Sequence, residues 1–193
     1  MKLIYTSANI NFLYEIRKNE YIDSFNELIK YFNPNDIYIL ECFSKNEEYL
    51  NNLSSNIYYN TNIGYFKNKG VKEITAIKNF LLKYNFDDDD LITKITGRYK
   101  LLSNRYINSI NNDDYDGYFK MGENNQLFTG LFSLKFKYLL DFINNIDLTI
   151  MEKNMINLEK LIYDYVINNK LNVKFIETLD LYSNINNETK IIW

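Results

Sequence analysis

Along the first half of the chain, short runs in which apolar and polar residues alternate with a period of two are separated by longer stretches with helical spacing. Residues 3–7 predict a first strand, and residues 12–32 a helix whose apolar stripe is Phe25, Leu28, Ile29 and Phe32. Pro34 closes that helix, because a residue without an amide hydrogen cannot continue it. Residues 36–43 set Tyr38 and Leu40 against Ile37 and Ile39, a second strand that carries Glu41 at its end. Ser44 and Glu47 have capping-box spacing and open a short helix to residue 53; residues 56–60 make a third strand. After a loop with Gly64 and Asn68-Lys69-Gly70, apolar residues at Val71, Ile74, Ile77, Leu81 and Tyr84 predict a helix over 71–84. A fourth strand over 91–99 completes a β-α-β-α-β-α-β alternation. That rhythm predicts an α/β fold with a mostly parallel, mixed sheet flanked by helices.

Beyond residue 104 the rhythm changes. Residues 115–121 and 127–134 read as strands and 136–143 as a helix. Thr149 and Glu152 form a second capping box, opening a helix through 167 with Met155, Leu158, Ile162 and Tyr165 inward. Residues 173–181 are the last strand. No internal repeat or linker interrupts the chain, so one domain over 1–193 is the simplest organisation.

The fourth strand carries the chemistry. Alternation places Lys94, Thr96 and Arg98 on one face and Leu91, Thr93 and Ile95 on the other, which makes a basic strip leading to the strand end. Gly97 there lets the backbone turn sharply or approach a ligand closely. Two cations and a glycine at the carboxyl end of a central strand suit a bound phosphate, because open α/β sheets bind ligands at that edge. The expectation is a cleft at the carboxyl ends of the first, second and fourth strands, where Thr6, Glu41 and Arg98 converge. The acidic run Asp87 to Asp90 precedes the strand and reads as solvated charge.

Composition narrows the chemistry. The 193 residues are 46% hydrophobic and 17% aromatic, which is a folding composition. A net charge of −3 offers no general attraction for nucleic acid, so any phosphate must be held locally. The chain has no histidine, which removes the Ser-His-Asp triad, the Cys-His dyad and His-ligated zinc together. The single cysteine, Cys42, reads as a small buried hydrophobe. No apolar run reaches membrane-span length and the start lacks a signal peptide's apolar core, so a cytoplasmic protein is expected. Heavy use of Asn, Ile, Lys and Tyr fits an A/T-rich genome, as in some giant viruses, where the host cytoplasm would be the compartment.

The order of elements resembles the GT-A glycosyltransferase fold. Ile39-Leu40-Glu41-Cys42-Phe43-Ser44 resembles its second-strand segment, whose carboxylate contacts the nucleoside. Asn68-Lys69-Gly70 resembles the segment before the helix that runs into the metal-site strand. Phe128-Thr129-Gly130-Leu131-Phe132 looks like the glycine-bearing acceptor-side strand, and Glu159 falls where many inverting members carry their catalytic acid. Asn-Lys-Gly with Lys-Ile-Thr-Gly-Arg-Tyr looks like a set of small viral and bacterial polysaccharide glycosyltransferases. The resemblance implies a nucleotide-sugar-binding half over 1–103 and an acceptor-side half over 104–193. Its partners would be a nucleotide-sugar donor and a glycan or other hydroxyl acceptor. It also implies nucleotide and diphosphate contacts from Thr6, Glu41, Asn68, Lys69, Lys94, Thr96, Gly97 and Arg98, and acceptor contacts from Thr129 and Gly130. Where the family has Asp-any-Asp for a divalent metal, this chain has Thr96-Gly97-Arg98. No metal is therefore expected; if Mn2+ or Mg2+ is used, Asp113, Asp114 and Asp116 are the fallback ligands.

Each residue also has a plainer reading. Glu41 either recognises a nucleoside or decorates a strand end, and Ser44 reads as a helix cap. Tyr99 either stacks on a base or sugar or packs as core. Gly130 permits close approach or a bulge, and Glu159 is a catalytic base or an exposed helix residue. A non-catalytic nucleotide-sugar or glycan-binding module is the alternative outside enzymes. A nucleotidyltransferase is the enzymatic alternative, although Thr6-Ser7-Ala8-Asn9 is not the glycine-rich phosphate loop it would need.

Overall fold

The computed structural model describes residues 1–8, 13–61, 66–111, 114–185 and 188–192. The chain runs β1 (Lys2–Ser7), α1 (Tyr14–Leu28), β2 (Ile37–Glu41), α2 (Glu48–Leu53), β3 (Ile57–Tyr59), α3 (Lys69–Lys83), β4 (Leu91–Thr96), β5 (Tyr99–Leu101) and α4 (Arg105–Asn111). It continues with β6 (Gly117–Phe119), β7 (Leu131–Lys135), α5 (Phe136–Asn145), α6 (Leu148–Lys153), α7 (Leu158–Asn168), β8 (Val173–Phe175), β9 (Leu181–Ile185) and β10 (Glu188–Ile192). The main sheet has the order β3-β2-β1-β4-β7-β6-β8. β1, β2, β3 and β4 run parallel, β7 is antiparallel to both β4 and β6, and β8 is parallel to β6. This is the α/β fold with a mostly parallel mixed sheet that the alternation predicts.

Period-two alternation sorts the sheet's side chains into two cores. Ile4, Leu40, Ile92 and Phe132 pack against α3, α5 and α7 on one face. Leu3, Tyr5, Ile37, Ile39 and Ile95 pack against α1, α2 and α4 on the other. The chain builds β1, β2 and β3 outward, then returns to place β4 on the free side of β1. That reversal makes the carboxyl ends of β1 and β4 the topological switch point, where open α/β sheets have their crevice. Among the described residues no helix is long and apolar enough to cross a membrane.

Several elements differ from the sequence expectation, each for a tertiary reason. The strand over 91–99 stops at Thr96, turns through Gly97 and Arg98, and resumes as β5 in a separate antiparallel sheet with β9 and β10. The helix α4 is absent from the sequence reading, and what reads as a last strand over 173–181 is β8 alone, with β9 beginning after Asp180 turns at φ 50°. Neither capping box forms. Ser44 Oγ is buried without a hydrogen bond among the described residues, and α2 begins after Glu47, whose side chain does not cap it. Asp147 caps α6 by accepting from the amides of Thr149 and Ile150. The helix expected over 149–167 breaks at Met155, which takes a φ of 50° and faces solvent rather than the core.

Candidate functional site

At the switch point a polar network crosses the carboxyl edge of the sheet. β1 and β4 are in register with Thr6 opposite Thr96, and the Gly97 amide donates to the Thr6 carbonyl at 2.8 Å, tying the turn to β1. The Lys94 ammonium, 1% exposed, contacts three oxygens: Glu73 Oε1 at 2.8 Å, Thr96 Oγ1 at 2.8 Å and the Thr129 carbonyl at 2.7 Å. Thr6 Oγ1 donates to the same Glu73 oxygen at 2.9 Å. Thr129 Oγ1 in turn donates to Glu159 Oε1 at 2.6 Å. A buried cation held by a carboxylate and two further oxygens has no spare direction for a phosphate. Lys94 is therefore the internal hub of the edge, which corrects its expected place as the second cation of an open basic strip. Lys94 and Thr96 do share a face, as alternation requires.

Arg98 stands apart from that hub. It lies in the turn after β4, partly exposed, and pairs with no carboxylate among the described residues. Its charge acts on the hydroxyls of Tyr21 and Tyr99. Tyr99 is half-buried, its hydroxyl makes no hydrogen bond among the described residues, and burial raises its pKa. The negative charges of Glu159 and Glu73 raise it further, against the lowering effect of Arg98. Arg17 is a cation that sequence reading passed over. Its Nε is buried without a hydrogen bond among the described residues, its Nη1 pairs with Glu20 at 3.1 Å, and it too acts on Tyr21.

The three residues expected to converge do not. Thr6 faces α3, whereas Glu41 faces the α1 side with Ser7, whose Oγ donates to Glu41 Oε2 at 2.6 Å. Glu41 is fully buried, and its Oε1 accepts from the amides of Phe43 at 2.8 Å and Ser44 at 3.0 Å. It closes the turn after β2, which corrects the expectation of a carboxylate open to a nucleoside. Gly97 is required by packing: a Cβ there would lie 2.6 Å from Cζ of Tyr5, whose hydroxyl bonds to the Gly97 carbonyl at 2.8 Å. Gly130 is likewise enclosed by the rings of Phe128 and Tyr99, and its carbonyl accepts from the Thr96 amide.

Asn68 positions both carboxylates. Its Oδ1 caps α3 through the Gly70 amide at 2.9 Å, and its Nδ2 donates to the carbonyls of Met151 at 3.1 Å and Ile156 at 2.9 Å. Glu152 adds hydrogen bonds from the amides of Lys67 and Asn68. The start of α3, which carries Glu73, is thereby fixed to the α6–α7 corner that leads into Glu159. With both ends of its side chain engaged, Asn68 is a clamp, not the ligand expected; Lys69 beside it is exposed.

The fallback metal ligands lie at the wrong end of the sheet. Asp114 and Asp116 pair with Lys135 at 2.9 and 3.5 Å, and Lys135 is in register with Leu91, the first residue of β4. Five residues of strand, about 16 Å, separate that end from Thr96. Asp113 lies outside the described residues. The Asp87–Asp90 run is also at this amino end, where Asp89 pairs with Lys137 at 2.8 Å. Among the described residues no group of three His, Cys, Asp or Glu side chains is placed to hold a metal ion. The divalent metal that the resemblance implies does not fit the β4 end, where the Glu73 carboxylate already holds the Lys94 ammonium.

A cavity of about 200 Å3 opens between α5, α6 and α7, lined by Phe142, Ile146, Ile150 and Leu161 among others, and by Met151 and Ile156, whose carbonyls hold Asn68.

No family model and no curated protein matches the chain. Solved structures do. The nucleoside-diphosphate-sugar pyrophosphorylase from Vibrio cholerae RC9 superposes with a TM-score of 0.59 at 13% identity over 91% of each chain. A cytidylyltransferase from Leptospira borgpetersenii gives 0.58 at 11% identity, over 92% of this chain and 76% of that one. A glycosyltransferase involved in glycosylation of the major capsid of PBCV-1 gives 0.55 at 12% identity, over 92% and 82%. The fold is thus the one shared by sugar nucleotidyltransferases and GT-A glycosyltransferases.

Proposed function

We propose that this chain is a glycosyltransferase that moves a sugar from a nucleotide-sugar donor to a hydroxyl of a glycan or other acceptor. The observation that carries the reading is that Arg98, at the switch point of a nucleotide-sugar transferase fold, pairs with no carboxylate among the described residues, while beside it in the chain the Tyr99 ring packs on Phe128 and Gly130, which flank the Thr129 that anchors Glu159. Residues 1–103 form the donor half and 104–193 the acceptor half. In the reaction the bond from the anomeric carbon to the diphosphate oxygen breaks and a bond to the acceptor oxygen forms. Arg98 stabilises the charge that develops on the leaving diphosphate, because a guanidinium donates paired hydrogen bonds to phosphate oxygens. If the reaction inverts, Glu159 takes the acceptor's proton; Thr129 holds one of its oxygens, and the other accepts no hydrogen bond among the described residues. With Arg98 at the phosphates, no metal is required.

Nucleotidyl transfer is the second reading, favoured by the superposition on the Vibrio and Leptospira proteins. One experiment separates the two: incubation with a panel of nucleotide-sugars, with and without Mn2+, Mg2+ and pyrophosphate. A glycosyltransferase releases nucleoside diphosphate slowly in water. A nucleotidyltransferase releases nucleoside triphosphate only with pyrophosphate, and a binding module shows a thermal shift without product.

A further inference from the structure

Glu73 and Glu159 have the same arrangement. Each fixes one carboxylate oxygen inside the protein, Glu73 Oε1 on Thr6 and Lys94 and Glu159 Oε1 on Thr129. Each leaves a second oxygen that accepts no hydrogen bond among the described residues, and both side chains are only partly buried. The Thr129 residue links them, since its carbonyl accepts from Lys94 and its hydroxyl donates to Glu159. The Tyr99 ring packs edge-on against Phe128, with centroids 5.5 Å apart, and against Gly130, the residues on either side of Thr129. An anchored carboxylate with a free oxygen is a strong, oriented acceptor for a hydroxyl, and an aromatic flank suits the apolar face of a pyranose.

Resting on the glycosyltransferase reading, we propose that Glu73 and Glu159 line the sugar subsite, Glu73 accepting hydrogen bonds from an uncharged hexose while Glu159 stays open to the acceptor hydroxyl, and that together they reject a sugar that carries a carboxylate. Charge fixes the ligand's direction. The phosphates lie at Arg98, and the ring extends toward the two carboxylates, where a second anion is repelled. Glu73 has no role in the sequence reading. Its position depends on α3 being clamped by Asn68 over the ends of β1 and β4, a relationship that local pattern does not encode.

The test compares UDP, UDP-glucose and UDP-glucuronate by calorimetry and, independent of the base, glucose 1-phosphate and glucuronate 1-phosphate by ligand-observed NMR. The wild-type chain should prefer the neutral member of each pair by about tenfold or more, the effect of one close like-charge contact in a partly desolvated site. Glu159→Gln keeps an oxygen for Thr129 and should reduce that preference to about threefold while leaving UDP affinity unchanged. Glu73→Gln should do the same; if it unfolds the chain because Lys94 loses its counter-charge, Glu159→Gln alone decides. Equal or tighter binding of the uronates, or a preference that survives Glu159→Gln, overturns the subsite while leaving the diphosphate reading intact. Failure of UDP and all four sugar compounds to bind overturns both.

Discussion

The Lys94 ammonium lies 2.8 Å from Glu73 Oε1, joining the middle of a buried strand to the first turns of the helix that precedes it in sequence. Lys94 is almost fully enclosed, whereas the Glu73 side chain is 23% exposed, so the pair is a buried cation met by a carboxylate at the rim of the crevice. Removing one partner strands the other's charge. Glu73→Ala should destabilise the fold by about 3 kcal/mol, at the low end of such losses because solvent reaches the site. Lys94→Met combined with Glu73→Gln should cost less than the sum of the single changes. Urea unfolding of wild type, Glu73→Ala, the two single changes and the double variant checks this; additive losses would mean that the two residues act independently.

Gly97→Ala should cost about 1–3 kcal/mol, because the added methyl meets the buried Tyr5 ring, held by hydrogen bonds to Tyr21 and Ser24 as well as Gly97. Thermal melts report the loss. A melting temperature equal to wild type would show that the turn relaxes freely.

Asn68→Ala removes a helix cap, takes one donor from the Met151 carbonyl, which keeps the Ile156 amide, and takes the side-chain donor from the Ile156 carbonyl. A loss of about 2 kcal/mol is expected. Because the clamp sets Glu73 against Glu159, donor-sugar turnover should fall further than nucleoside diphosphate affinity in the folded variant. Equal falls in both would reduce Asn68 to a helix cap.

Burial pushes the Tyr21 hydroxyl up to about 12 and raises those of Tyr5 and Tyr106 well above the ordinary phenol value. The unfolded chain releases these protons near pH 10, so between about 10 and 12 it binds fewer protons than the folded one. The stabilisation is complete below that window and is lost as pH rises through it, by about 1.4 kcal/mol per pH unit for each tyrosine. Urea midpoints from pH 9 to 11.5 should fall, and fall less steeply in Tyr21→Phe. Identical slopes would contradict the assignment.

The sheet was legible because its signal is local: Ile4, Leu40 and Ile92 against Leu3, Ile39 and Ile95 are period-two alternations that need no partner to be recognised. The same pattern put Lys94 and Thr96 on one face but not Arg98, because the strand ends at Thr96 and Arg98 lies in the turn beyond it. What the sequence concealed depends on docking. Thr149 and Glu152 have the spacing of a cap, yet Asp147 caps the helix and Glu152 reaches back to residues 67 and 68. Glu41 stands at a strand end where a ligand contact is expected, but Ser7 and two amides turn it inward. Lys94 reads as a surface cation until Glu73, twenty-one residues earlier, is brought beside it.

Arg98 offers the most direct measurement: calorimetric affinity of wild type, Arg98→Ala and Arg98→Lys for a nucleoside, its diphosphate and its diphosphate-sugar. A guanidinium at the diphosphate contributes about 1.5–3 kcal/mol, so Arg98→Ala should weaken diphosphate and diphosphate-sugar roughly ten- to a hundredfold and leave the nucleoside nearly unchanged. Arg98→Lys should recover only part, since an ammonium keeps the charge without the fork. Equal weakening of nucleoside and diphosphate, or wild-type diphosphate binding that requires Mn2+, would contradict a site in which Arg98 holds the phosphates unaided.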